Sequence, residues 1–199
     1  MNWIQTLLLL DPARCAVLDG SLFNIDYGVD HLAFTGANAV RLRLDTSGNG
    51  TRIAGATPTL TGEFCARIKT PMAAGAVFAF YASTTSTPHG DRDEIDLQFM
   101  RNKGADDGSV ETDSFFKGVA GASVRVATGA SKIAGPAMPY CISWIIGQKD
   151  TALNKAVWSA NGVPIRTMSL ANWTRPLLPI MSYWAVQNDN AGANYLTQI

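Results

Sequence analysis

Outside its first ten residues, the chain has no stretch of ten or more residues whose apolar side chains recur at the roughly 3.6-residue period of an amphipathic helix. Short runs of strand formers separated by turn residues take its place. Ala39 to Leu44 sets Val40, Leu42 and Leu44 against Arg41 and Arg43; Gly62 to Lys69 alternates likewise; Val77 to Ala82 is apolar nearly throughout. Thr112 to Phe116, Ile142 to Ile146, Ala156 to Ala160 and Met181 to Val186 supply further runs. Asn161-Gly162, ahead of Val163-Pro164-Ile165-Arg166, is a strong hairpin signal, because a two-residue type I′ turn needs positive φ at both central positions. Many short strands with almost no helix specify an all-β chain, an antiparallel β-sandwich or barrel.

Within that pattern, Asp93-Glu94-Ile95-Asp96-Leu97-Gln98-Phe99 stands apart. On a strand, Ile95, Leu97 and Phe99 line one face while Glu94, Asp96 and Gln98 line the other. Acidic residues are depleted from strands, and two on one face repel each other unless something uses them. Unpaired charges are also expensive to bury, so this face is expected to be the wet floor of a cleft. Side chains at positions i and i+4 on such a floor can lean toward the roughly 5–5.5 Å carboxyl separation of retaining glycosidases. The strand before it presents Phe80 or Tyr81 beside Glu94, either as a stacking platform or as plain core. His89, in the intervening loop, has no evident partner in the sequence.

Composition removes several classes of function. Sixteen basic residues balance sixteen acidic ones, leaving no basic stripe for a nucleic acid backbone. No apolar run approaches the roughly 20 residues of a spanning helix, so no membrane partner is expected. The three cysteines, Cys15, Cys65 and Cys141, show no metal-ligand spacing; no metal and no cofactor are expected, and Cys65 and Cys141 read as free thiols within core strands. Residues 1–20 are set apart as a degenerate secretory leader or an extra N-terminal segment, although the run Leu7 to Leu10 equally suits a packed strand or short helix. Residues 21–199 are expected to form one domain, acting as a monomer.

From Phe23 onward, ordered motifs resemble glycoside hydrolase family 16, most closely its xyloglucan endotransglucosylase/hydrolase branch. Glu94-x-Asp96-x-Gln98 is similar to that family's Glu-x-Asp-x-Glu strand. Phe23-Asn24-Ile25-Asp26-Tyr27-Gly28, Asp45-Thr46-Ser47-Gly48-Asn49-Gly50, Thr112 to Gly118, Asn161 to Arg166 and Ser182-Tyr183-Trp184 follow in the family's order. The resemblance implies a jelly roll of the concanavalin A-like lectin/glucanase type, whose concave sheet holds a β-glucan chain. It further implies Glu94 as nucleophile, Asp96 as its helper and position 98 as acid/base, with Tyr81 and Trp184 stacking on sugar rings. Arg92 and Asp113 stand where the branch has His and Asn, and are expected to line the substrate. An extracellular or cell-wall location goes with that resemblance, and the chain is shorter at its C-terminus than the branch. Gln98 is the informative departure, because an amide cannot give up a proton near neutral pH. A transglycosylase or hydrolase with impaired turnover and a catalytically silent, lectin-like β-glucan-binding module therefore both follow. A purely structural sandwich is the third reading.

Overall fold

The computed structural model describes residues 4–9, 23–34, 39–44, 50–69, 76–84, 90–100, 107–132 and 134–185, with only the backbone described at 4–9 and 34. His89 and the turn at 45–49 lie outside these. The described residues form fifteen strands: β1 Ile4–Leu9, β2 Phe23–Tyr27, β3 Leu32–Phe34, β4 Ala39–Leu44, β5 Thr51–Gly55, β6 Thr61–Lys69, β7 Ala76–Ser83, β8 Glu94–Met100, β9 Ser109–Phe116, β10 Val119–Ala120, β11 Val124–Ala127, β12 Met138–Ile145, β13 Lys155–Ala160, β14 Val163–Ser169 and β15 Leu178–Ala185. Among the described residues there is no α-helix; two three-residue 3₁₀ turns, Val29–His31 and Thr151–Leu153, are the nearest approach. All pairings between strands are antiparallel.

Two sheets face each other across one core. A seven-stranded sheet runs β14-β13-β12-β6-β1-β4-β3, and an eight-stranded sheet runs β10-β9-β8-β7-β15-β5-β2 with β11 also on β9. Leu7, Leu8 and Leu9 of the leucine run lie on a strand: β1 pairs with β4 on one side and β6 on the other. Alternation sends Phe64, Tyr140, Ile142 and Trp158 inward from the first sheet, and Phe78, Phe80, Leu97 and Phe99 inward from the second. Phe64 stacks on Phe80 with ring centroids 4.2 Å apart, and Phe99 meets Tyr140 edge-on at 4.8 Å, so aromatic pairs bridge the layers. Arg166 of β14 reaches across the edge, its guanidinium 4.9 Å from the Trp158 ring and donating to the Thr112 Oγ1 at 2.6 Å. That contact holds β9 in place.

The Asn161-Gly162 hairpin forms as the sequence predicts, with φ of 51° and 77°, joining β13 to β14. The reading of Cys65 and Cys141 as free thiols is corrected. They face each other across the β6–β12 ladder with Cα atoms 4.1 Å apart and form a disulfide. Both lie in the outward alternation of the seven-stranded sheet, because Phe64, Ala66, Tyr140 and Ile142 take the inward places. The sequence could not show this, since strand register brings together residues separated by 76 positions.

Candidate active site

β8 is central in the eight-stranded sheet, between β7 and β9. Ile95, Leu97 and Phe99 point into the core at no more than 1% exposure, which fixes Glu94, Asp96 and Gln98 on the outward face. The Trp158 indole, rooted in the opposite sheet, donates to the Asp96 carbonyl oxygen at 2.8 Å and anchors the middle of β8 through the core. Its leading end is held by Asp93. That buried carboxylate accepts from Arg175 Nε at 2.8 Å and from the Lys117 amide at 2.8 Å. Lys117 and Gly118 have φ of 51° and 77°, the hairpin geometry again, and the Gly118 amide donates to the Arg92 carbonyl at 2.8 Å. A Cβ on Gly118 would sit 2.3 Å from the Gly90 carbonyl oxygen, so the close approach of this turn to the start of β8 requires glycine. Arg92 and Glu94 thus project from a clamped segment.

Register assembles the face around β8. Phe115 lies opposite Glu94, Asp113 opposite Asp96 and Glu111 opposite Gln98 on β9, while Ser83, Tyr81 and Ala79 are the corresponding partners on β7. β15 and β5 extend two of these rows through Ile180 to Ala54 and through Ser182 to Arg52. Arg92 leans over the floor, its Nε 3.0 Å from Glu94 Oε1 and its guanidinium 4.1 Å from the Phe115 ring centroid. The expected repulsion between Glu94 and Asp96 is therefore partly neutralised by a cation. Burial pushes the Asp96 carboxyl well above the usual carboxylate range; the charges of Glu94 and Asp113 add to this, and Arg92 opposes it.

The floor is more enclosed than the sequence suggests. Glu94, Asp96 and Gln98 are 8%, 3% and 9% exposed. Asp96 Oδ2, Gln98 Oε1 and Ser83 Oγ are buried without a hydrogen-bond partner among the described residues. Each such group costs about 1–3 kcal/mol. Nothing among the described residues offsets that cost.

The remaining predicted residues take different places. Tyr81 is on this face but 3% exposed, with the Arg52 guanidinium 5.7 Å from its ring centroid, so sugar stacking there requires Arg52 to move. Phe80 belongs to the core. Trp184 is partly buried against the small outward cluster of Ala54, Ala79, Tyr81 and Ile180, beyond Gln98 along the face. Asp113 is half-buried beside Asp96.

The model of Glycosyl hydrolases family 16 matches residues 19–195. The chain belongs to this family. Solved structures agree with the fold: this family 16 chain is similar to Bacillus licheniformis beta-glucanase with a TM-score of 0.68 at 16% identity, over 98% of this chain and 91% of that one. A prokaryotic beta-1,3-1,4-glucanase (lichenase) from a mouse hindgut metagenome gives 0.63 at 15% identity, over 98% and 86%. The Crh5 transglycosylase, solved with NAG, gives 0.64 at 19%, over 83% and 64%. No curated protein matches this family 16 chain by sequence. The likenesses place it among jelly-roll sandwiches without singling out the xyloglucan branch.

Several residues of the site are invisible to sequence reading. Asp93 and Arg175 clamp the acid-bearing strand from 82 positions apart, and Arg52 reaches the floor from β5. Neither pairing carries a local signal. Glu111 does carry one: the acidic alternation at Asp113 continues back to Glu111, mirroring Glu94 and Asp96 on the neighbouring strand.

Proposed function

We propose that the outward face of the eight-stranded sheet binds a β-glucan chain, of xyloglucan type by its motifs, and that Glu94 is the nucleophile of a retaining glycosyl transfer. The observation that carries this reading is the alignment of Glu94, Asp96 and Gln98 on one enclosed face of a family 16 fold, with buried polar atoms there unpartnered among the described residues. In the reaction, Glu94 attacks the anomeric carbon and the bond to the departing sugar oxygen breaks, giving a glycosyl-enzyme that a water or an acceptor sugar hydroxyl then resolves. Burial, then the Glu94 and Asp113 charges, shift the Asp96 carboxyl toward its protonated form, and a protonated Asp96 has a donor with which to orient the Glu94 carboxylate. Arg92 holds the resting Glu94 in place through its guanidinium. The Cys65–Cys141 bond supports residence in an oxidising compartment, in keeping with an extracellular or cell-wall setting.

A second reading, a glycan-binding module without turnover, is favoured by Gln98 alone, whose amide cannot supply the proton that general acid catalysis needs. Titration calorimetry with cello-, mixed-linkage and xyloglucan oligosaccharides tests what both share. Heat at millimolar ligand or below is expected; no heat from folded protein overturns both. Hydrolysis of an activated aryl β-glycoside, whose leaving group needs no proton, then separates them: Glu94-dependent product release supports the enzyme, and binding without release supports the module.

A further inference from the structure

We infer that Glu111 is the acid/base of this domain, supplying from β9 the proton transfer that Gln98 on β8 cannot. The inference rests on the reading of Glu94 as nucleophile. Register gives it its geometry: Gln98 and Glu111 are direct ladder partners, so both side chains leave the sheet on the same face, with Cβ atoms at the roughly 4.5–5.5 Å typical of such pairs. Glu111 is therefore offset from Glu94 along the sheet by the same four residues as Gln98, displaced sideways by one strand.

The surroundings of Glu111 suit a group that must move and change protonation. Its side chain is 20% exposed, open to a sugar hydroxyl or water, whereas Gln98 is 9% exposed. Its restraints are loose: the Ser123 hydroxyl donates to Oε2 at 3.4 Å, and the Arg125 guanidinium stays 3.9 Å from Oε1. Arg125 holds Asp107 closely instead, at 2.9 Å. Across the ladder, Gln98 Oε1 is a buried acceptor with no partner among the described residues. A protonated Glu111 has an O–H to fill it. When Glu111 is ionised, the amide turned over offers N–H in exchange. Gln98 can therefore steady both protonation states of Glu111, a task a second carboxylate would perform worse.

In the first step, the Glu94 oxygen forms a bond to the anomeric carbon as the bond to the leaving sugar breaks, and the proton of Glu111 passes to the departing oxygen. In the second, the Glu111 carboxylate takes a proton from water or an acceptor hydroxyl, whose oxygen displaces Glu94 from the anomeric carbon. Glu111 ends protonated and Glu94 ionised, as they began.

The test compares the unchanged protein, Glu111→Gln and the exchange Gln98→Glu/Glu111→Gln on a mixed-linkage oligosaccharide and on a 2,4-dinitrophenyl β-glycoside, with folding checked by thermal melts. Glu111→Gln is expected to lower kcat/KM on the oligosaccharide by about 10²–10⁴-fold and to leave the first step on the dinitrophenyl substrate nearly unaltered. Added azide should then speed its release and give a glycosyl azide of retained configuration. The exchange variant keeps the composition of the pair, and so should fold, and it should recover oligosaccharide turnover. Dinitrophenyl cleavage that depends on Glu94, alongside a Glu111→Gln variant indistinguishable from the unchanged protein on the oligosaccharide, overturns the role of Glu111 and leaves Glu94 standing. Absence of Glu94-dependent cleavage on either substrate overturns both.

Discussion

On β6, in the seven-stranded sheet, the outward side chains of Thr61, Glu63, Arg67 and Lys69 stand exposed, and Cys65 is tied to Cys141 on the adjoining strand. On β8, in the eight-stranded sheet, the outward side chains of Glu94, Asp96, Gln98 and Met100 are all buried, and Asp96 Oδ2 and Gln98 Oε1 have no hydrogen-bond partner among the described residues. Both strands alternate, and both turn an apolar face to the same core. Charge in water costs little, so the first face can carry a covalent staple and contribute to stability. Charge held out of water costs several kcal/mol unless something complements it, so the second face is maintained at the expense of stability. The difference separates the face that strengthens this sandwich from the face proposed to bind glycan.

Glu94→Ala should break the second face most severely. Losing the proposed nucleophile is expected to reduce turnover of an activated aryl glycoside by at least about 10³-fold, while the melting temperature moves by only a few degrees because the core face of β8 is untouched. A preparation that stays fully active would remove Glu94 from the chemistry. The first face should respond in the opposite manner. Replacing Cys65 and Cys141 together by serine should lower stability by about 2–4 kcal/mol, roughly 5–15 °C for a chain of this size, with glycan affinity unchanged by calorimetry. Loss of binding in protein that remains folded would show that the two faces are not separable.

The smallest expected effect is on Asp96. Its carboxyl is raised in the folded protein by burial, then by Glu94 and Asp113, against the pull of Arg92, so the unfolded chain ionises at lower pH than the folded one. The unfolded state then binds fewer protons through the window from the ordinary carboxylate range up to the raised value, and stability falls as pH rises through it. Asp96→Asn removes that ionisation, so the variant should be more stable than the unchanged protein near neutral pH, by about 1 kcal/mol, the size of an ordinary single-residue effect. The gain should disappear as pH falls to the ordinary carboxylate range. Urea midpoints at several pH values measure it, and a gain that does not vary with pH would assign the effect to packing.

How much of this is legible in the sequence follows from what a local pattern can encode. Period-two alternation identifies β8 and tells its core face from its polar face, and the Asn161-Gly162 turn marks its hairpin, because both are decided by neighbours in sequence. β5, β10, β11 and the leading part of β9 are not set out by those patterns; β11 is short and mostly exposed, so its alternation has little burial behind it. The disulfide, the Asp93–Arg175 clamp and the Gln98–Glu111 pair all depend on register between distant segments. Enclosure of the polar face is also out of reach. Arg92 and Arg52 fold over neighbouring rings only once β9 and β7 stand beside them.

The Trp158 indole crosses from one sheet to the backbone of β8 at Asp96. Its consequence belongs to heredity as much as to mechanics. A substitution at a buried position of β13, in the sheet that carries none of the candidate site's acids, withdraws a hydrogen bond from the strand that carries three residues of that candidate site. In a random library scored for turnover, hits at Trp158 and its packing neighbours would be mistaken for folding defects. Scored for melting temperature as well, they should fall off the common trend, losing more activity than their stability accounts for, because the interior of this sandwich is wired to one particular carbonyl.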